Sequence, residues 1–579
     1  MEPEWARLFA GAGVAVRLLP GCEEEVEPAS FARPRAVELA LRADPPDVVI
    51  AHEFTAPVYT ALRVRQAGLA FDRTLFVTFC HGTRRWVKEV TRNERVSADV
   101  LREAALERAS VELADVAVSP SAYLAAWMRD AGWQLPERTY VVPYVTRSQA
   151  TGEASPEPVP PSSGRVERLA FFGRLEERKG VRPFLAGLNV LAPELLEGVE
   201  LEFIGKTTKH WSRERVESKL SEDVRRALQG ISFETELDQH EALARLSRPG
   251  TLAVMPALGD NSPNTVYECL ERGIPFAASD VGGIPELIAP EDRDRVLFEP
   301  TAEGVEGTLR RALSQADALR PVRPAFDADM SCERWAEIVV TRPHEPTRPP
   351  ERTPVDVVVV HRGSREGLAR CLAALAAQRY AEIRVIVADS RETGIREGSA
   401  PWVVFLDEHD VPAEELVGTL VSAQAASGAD VVTCGVYVLD DDVGGTVHLF
   451  SGEPGGLGVL ANGYGNTALI RRSLLDGAAP TGDSADADWP LLAQLNASGA
   501  RVVSVPAALV TRAVPPGTLE RRPSDALRVV QELEHALPES LRSLARLAAG
   551  LAAEAQQPRV APPRGRASRA LRRLASRLR

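Results

Sequence analysis

The sequence predicts an α/β protein made of several parallel-sheet domains in series. Two observations carry that prediction. First, short apolar runs recur between helical stretches and end in polar or glycine turns. Asp47-Val48-Val49-Ile50-Ala51 runs into His52-Glu53, Leu75-Phe76-Val77-Thr78-Phe79 into Cys80-His81-Gly82, and Asp115-Val116-Ala117-Val118 into Ser119-Pro120-Ser121. Strands buried on both faces read as unbroken apolar runs, and helices between them imply a parallel sheet with ligands at the strands' carboxyl ends. Second, two breaks divide the chain. Thr151 to Gly164 is a Pro/Ser/Glu-rich hinge, and Thr341 to Pro354 holds five prolines among charges. The expected organisation is a lobe over 1–150, a second lobe over 165–340, a linker over 341–354, a smaller α/β domain over 355–520, and a helical, Arg-rich tail over 521–579. A length of 579 residues fits three or four units of ordinary size.

Composition excludes some classes. The net charge of −13, from 68 basic and 81 acidic residues, argues against a general nucleic-acid binder. The start, Met1-Glu2-Pro3-Glu4, has no basic leader segment, and no apolar run is long enough to span a bilayer, so a cytoplasmic location is expected. Cys22, Cys80, Cys269, Cys332, Cys371 and Cys434 show no Cys-x-x-Cys spacing and read as small core residues. Lysine is confined to Lys88, Lys179, Lys206, Lys209 and Lys219. In a chain that otherwise uses arginine, this draws attention to Lys179 and Lys206.

In the first lobe, Gly13-Val14-Ala15-Val16-Arg17-Leu18 is expected to be a strand after a short helix. The opening strand and glycine turn usual for such a lobe are missing, so it reads as trimmed. The basic run Arg84-Arg85-Trp86-Val87-Lys88 is either the lining of an acceptor groove or a solvated loop.

In the second lobe, Leu169 to Phe172 is a strand running into Gly173. Arg174 and Lys179 follow on a loop ahead of a helix. Leu201-Glu202-Phe203-Ile204-Gly205 is the next strand, with Lys206 at its end. Leu252 to Met255 is another, leading to Asp260-Asn261-Ser262-Pro263-Asn264-Thr265. Ser262 is a good helix N-cap and Pro263 suits the first helical position. The N–H groups of Asn264 and Thr265 then point outward at the helix's positive end, a ready site for a phosphate or diphosphate. Asp260 precedes the cap and Glu268 lies in the helix's second turn. Phe326 to Val340, with Trp335, reads as a long closing helix.

The pattern Asp260, seven residues, Glu268, followed by Arg272-Gly273-Ile274-Pro275 and Gly282-Gly283-Ile284-Pro285-Glu286, resembles the donor segment of family 4 glycosyltransferases. The loop from Gly173 to Lys179 resembles a second signature of that family. The resemblance covers 1–340, strongly from 169 on. It implies a GT-B fold of two facing Rossmann-like lobes. It also implies a nucleotide-diphosphate-sugar donor, UDP- or GDP-linked, and a glycan, lipid-linked or small-molecule acceptor. Retention of configuration and no required cofactor follow from the same likeness. Arg174, Lys179, Asn264 and Thr265 would hold the diphosphate, Glu268 would accept from the ribose, and Asp260 with His81 would accept from sugar hydroxyls at the reacting end. The family more often has Glu at the first acid, so Asp260 leaves the sugar open. Nucleotide-sugar epimerases share the architecture, and a non-catalytic binding or scaffolding protein is a further alternative.

Beyond 355, Val357 to Val360 is a strand, Gly367 to Ala377 a helix, Arg384 to Ala388 a strand before Asp389, and Trp402 to Leu406 a strand before Asp407-Glu408-His409-Asp410. This resembles the nucleotide-binding half of family 2 (GT-A) glycosyltransferases. That likeness implies that Asp389 recognises the nucleoside, that Asp407 and Asp410 hold Mg²⁺ or Mn²⁺ on a diphosphate, and that Asp488 is the base of an inverting reaction. His409 replaces an acid of the usual turn, the span from Asp389 to Asp407 is short, and Ala487 replaces a Glu. The domain is therefore either a second transferase or a degenerate binding module. Ser524 to Glu554 reads as helices broken at Pro538. Arg564 to Arg579, with Leu571, Leu574 and Leu578 on one face, is either a contact for an anionic membrane or a solvated tail.

Overall fold

The computed structural model describes residues 9–19, 25–92, 97–145, 164–315, 317–340, 352–440, 444–452, 458, 462–476 and 488–514. The expected helices over 524–554 and the basic tail lie outside these residues, as do most of both linkers. The chain divides into two compact units, one of Met1–Glu23 with Glu27–Arg348, the other of Glu24–Val26 with Pro349–Arg579.

The first unit contains two parallel sheets. The smaller has strands Val48–His52, Leu75–Phe79, Val116–Ser119 and Arg138–Val141, side by side in chain order. The expected strand over Gly13–Leu18 is not formed. Val14, Val16 and Leu18 alternate as a strand should, but they are 49%, 47% and 92% exposed. Alternation makes a strand only where a ladder and a buried face receive it.

The larger sheet runs Leu297–Phe298, Phe276–Ser279, Thr251–Met255, Arg168–Phe172, Glu200–Ile204, Gly230–Glu234, all parallel. Chain order reverses between Arg168–Phe172 and Thr251–Met255. That reversal is a topological switch point, where a crevice opens beyond the carboxyl ends of the strands. Phe171, Phe184, Phe203, Leu185 and Leu201 fill one face of this sheet. The closing helix spans Ala328–Val339. Its Ile338 packs with Leu75, Val77, Val116 and Val118 of the smaller sheet, and Trp335 lies edge-on to Phe79 at 5.1 Å. The chain thus returns from the second lobe to the first.

The second unit is also α/β. Its mixed sheet has three parallel strands, Ile383–Ala388, Val355–Val360 and Trp402–Asp407. It continues antiparallel through Ala468–Arg471 into Val431–Asp440. Ile383–Ala388 lies at the sheet's edge, with Val385 and Val387 exposed.

Candidate active site

A cleft of about 220 Å³ opens at the switch point of the larger sheet, lined among others by Arg174, Gln239, Asn264, Thr265 and Glu268. Helix Asn264–Arg272 starts there. Its N-cap is Pro263, and no side chain caps it. The expected cap, Ser262, is otherwise engaged: its Oγ pairs with the Tyr267 hydroxyl at 2.8 Å. The amides of Asn264 and Thr265 precede the first i→i−4 bond of the helix and line the cleft. The helix stops at Gly273, whose φ of 64° is the left-handed cap.

The cationic loop is the 3₁₀ turn Glu177–Lys179, closed by Gly180 at φ 79°. A Cβ on Gly180 would lie 1.6 Å from the Pro256 carbonyl oxygen, so only glycine lets the turn press against the exit of strand Thr251–Met255. The Leu258 amide then donates to the Arg178 carbonyl at 2.8 Å. This contact brings two cations onto one acid: Lys179 Nζ and Arg178 Nη1 lie 2.6 and 3.0 Å from Asp260 Oδ2. The other oxygen, Oδ1, accepts from the Asn261 amide at 3.1 Å.

Asp260 was expected to face sugar hydroxyls. Here both its oxygens are occupied, and it fixes the two cations in place. Arg178 escaped the sequence reading, although the signal was present as a second cation beside Lys179. Arg174 is mostly exposed, its side chain 64% accessible and held only by a long ion pair to Glu176 at 3.8 Å. The structure therefore brings Arg174, Asn264, Thr265 and Glu268 to one cleft, with Lys179 beside it on Asp260. Glu268 Oε1 accepts from Gln239 Nε2 at 2.6 Å. Burial pushes the Glu268 carboxyl above its ordinary range, and the Gln239 bond offsets only part of that.

Across from this loop stand residues of the first lobe. Asn261 bridges the lobes: its Nδ2 donates to the His81 carbonyl at 3.1 Å and its Oδ1 accepts from Ser121 Oγ. The Glu286 carboxylate accepts from the amides of Ala122 and Tyr123, both at 2.7 Å. It thus sits at the positive start of helix Ala122–Asp130. Gly283 permits this approach, since a Cβ there would lie 2.0 Å from the Asn261 carbonyl oxygen.

His81 Nδ1 lies 2.7 Å from the Tyr144 hydroxyl. The ring is surface-exposed yet packed on Phe79 and Tyr144. Burial of its inner edge, then His52, lowers its pKa. The loop carrying it is held by Glu53, a buried carboxyl that accepts from the amides of His81 and Gly82. Burial pushes Glu53 up to about 7 against the pull of those amides. Glu53 was read only as a strand end. The run Arg84–Lys88 forms helix Arg84–Val90, with Trp86 buried. Arg84 pairs with Glu103 and Arg85 with Glu89.

In the second unit, Asp389 is exposed at the end of the edge strand. Bonds from Thr393 and Ser390 hold its pKa below the usual value. Asp407 accepts from Arg362 at 3.0 Å and from the His409 amide at 3.2 Å. Asp410 is buried and takes a two-pronged bond from Arg512, at 2.7 and 2.9 Å. Asp488 is buried 2.8 Å from Arg391, and its burial raises its pKa. The residues do not fit Mg²⁺ or Mn²⁺. Both oxygens of Asp410 are committed to Arg512, and among the described residues no three His, Cys, Asp or Glu converge as a ligand set. Arg362 and Arg512 thus engage the two acids on which the resemblance placed a metal, a partnership no local pattern announced.

Residues 166–315 match the family Glycosyl transferases group 1, and residues 2–144 match Glycosyltransferase Family 4. The chain thus carries glycosyltransferase domains over both parallel sheets of its first unit. No curated protein matches the sequence. Among solved structures, similar chains include sucrose-phosphate synthase from Thermosynechococcus elongatus. It is 19% identical, with 54% of this chain and 77% of that one covered and a TM-score of 0.40. Anabaena HepE in complex with UDP is 16% identical, covering 58% and 89%, with a TM-score of 0.39. S. aureus TarS in complex with UDP-GlcNAc is 13% identical, covering 33% and 70%, with a TM-score of 0.26. Likenesses this distant carry no argument about substrate. Among the described residues no helix is long and apolar enough to cross a membrane.

Proposed function

We propose that the first unit moves a sugar from a nucleotide-diphosphate donor to a hydroxyl of a glycan, lipid-linked or small-molecule acceptor, with retention of configuration. The observation that carries this reading is the shared cleft: the mostly exposed Arg174 side chain and the helix start at Asn264 and Thr265 line it together with Glu268. A departing diphosphate needs charge stabilisation that is already in place before the bond breaks. Arg174 and the helix start supply it at the cleft wall, and Lys179, held by Asp260 and Arg178, adds a second cation beside it. Glu268 takes the ribose hydroxyls. His81, supported by Tyr144 and by the Glu53-held loop, approaches the sugar from the other lobe. No divalent ion is assigned a role in this unit.

Calorimetry of the full chain with UDP, GDP and ADP in EDTA tests the reading. One of the three should bind, and Arg174→Ala with Lys179→Ala should weaken it by about 100-fold, the size of two lost charge-assisted bonds. Absence of binding by all three overturns it. Incubation with the matching nucleotide-sugar and no acceptor separates the epimerase alternative, because an epimer in the products would defeat transfer.

A further inference from the structure

The second unit has a small pocket at the ends of strands Val355–Val360 and Trp402–Asp407, lined by Arg362, Arg391, Arg512, Asp407, Asp410 and Asp488 among others. The charges pair one to one: Arg362 with Asp407, Arg512 with Asp410, Arg391 with Asp488. Asp410 also accepts from the Asp407 amide at 2.9 Å, so its carboxylate is fully used. Arg391 is only 9% exposed and rests 5.2 Å over the Phe405 ring. Its Nη1 has no hydrogen-bond partner.

Three features disfavour a divalent cation here. The carboxylates that would ligate it already bond to guanidiniums. The free space is about 10 Å³, scarcely one water, whereas Mg²⁺ usually keeps several of its own. Among the described residues, the unpartnered buried group in the pocket is the Arg391 donor, which calls for an acceptor oxygen and not for a cation.

We infer that this acid turn is a metal-excluding site: Arg362, Arg391 and Arg512 supply the positive charge a divalent ion would bring, and Arg391 Nη1 is presented to an acceptor oxygen. The inference is independent of the first unit's reaction. It predicts that the full chain and its Asp410→Asn variant bind Mn²⁺ identically by electron paramagnetic resonance, with no ion held at the turn. The double variant Arg362→Gln/Arg512→Gln should acquire a bound Mn²⁺ and lose it again when Asp410→Asn is added. The inference is overturned by Mn²⁺ retained by the unaltered chain and lost in Asp410→Asn, or by a folded double variant that gains none. Where the double variant fails to fold, Arg362→Gln alone serves, because that side chain is 33% exposed. A melting temperature of the unaltered chain that Mn²⁺ raises and Asp410→Asn abolishes also overturns it.

Discussion

Past strand Thr251–Met255 two cations share one aspartate, Asp260, while Arg174 stands apart in the cleft. At the end of strand Trp402–Asp407 three arginines face three aspartates. Both regions place acids and cations beyond parallel strands, but the first keeps positive charge and open amides in reserve, whereas the second has matched its charges internally. A reserve of donors can bind a diphosphate without first breaking native pairs. A matched cluster must give up an ion pair before its acids can hold a cation, so those carboxylates serve chiefly to hold the fold. Similar residue types at similar places in two sheets therefore do not imply similar work.

The strongest challenge to this contrast is removal of Arg512. Arg512→Ala leaves Asp410 buried without its partner and should cost about 3–5 kcal/mol of stability. Thermal unfolding should show it, and transfer by the first unit should persist below the transition. A small loss would mean the cluster is not structural.

Glu53 sharpens the contrast, because it is a buried carboxyl served by amides and no arginine. Its folded-state pKa of about 7 lies above the ordinary 4.5. The folded state therefore holds its proton more tightly, and stability is greatest below the unfolded value and falls as pH rises towards 7. At ~1.4 kcal/mol per unit the loss is about 3 kcal/mol. Chemical denaturation from pH 4.5 to 8 should show the decline, and Glu53→Gln should flatten it. A slope unchanged in Glu53→Gln would remove Glu53 as the source.

Lys179→Ala tests the reserve itself. Arg178 still pairs with Asp260, so the fold should survive, while turnover with the cognate donor should fall by roughly 100-fold. Equal turnover in the variant would show that the cation does not serve the leaving group. The smallest expected effect is Glu286→Ala, which removes an acceptor from the start of helix Ala122–Asp130. It should lower stability by about 1 kcal/mol, and a larger loss would point to a latch between the lobes that does more than cap a helix.

Much of this was legible from local pattern. The apolar runs marked most of the strands, and Pro263 marked the helix start to within one position. Two readings missed for physical reasons. Val14, Val16 and Leu18 alternate but find no ladder, and Ser262 gave its hydroxyl to Tyr267 five residues on instead of capping the helix.

The sequence by itself determined the α/β class, the two donor signatures and the residues on which a diphosphate site could be built, because those depend on periodicity and turn chemistry within a few residues. Tertiary structure alone decided what the acids do. Asp260 is claimed by Lys179 from 81 residues away, Asp410 by Arg512 from 102, and the Ala122 amide by Glu286 from 164. The role of a carboxylate follows from the charge the topology delivers to it, and pairings over such separations leave no trace in the local order of residues.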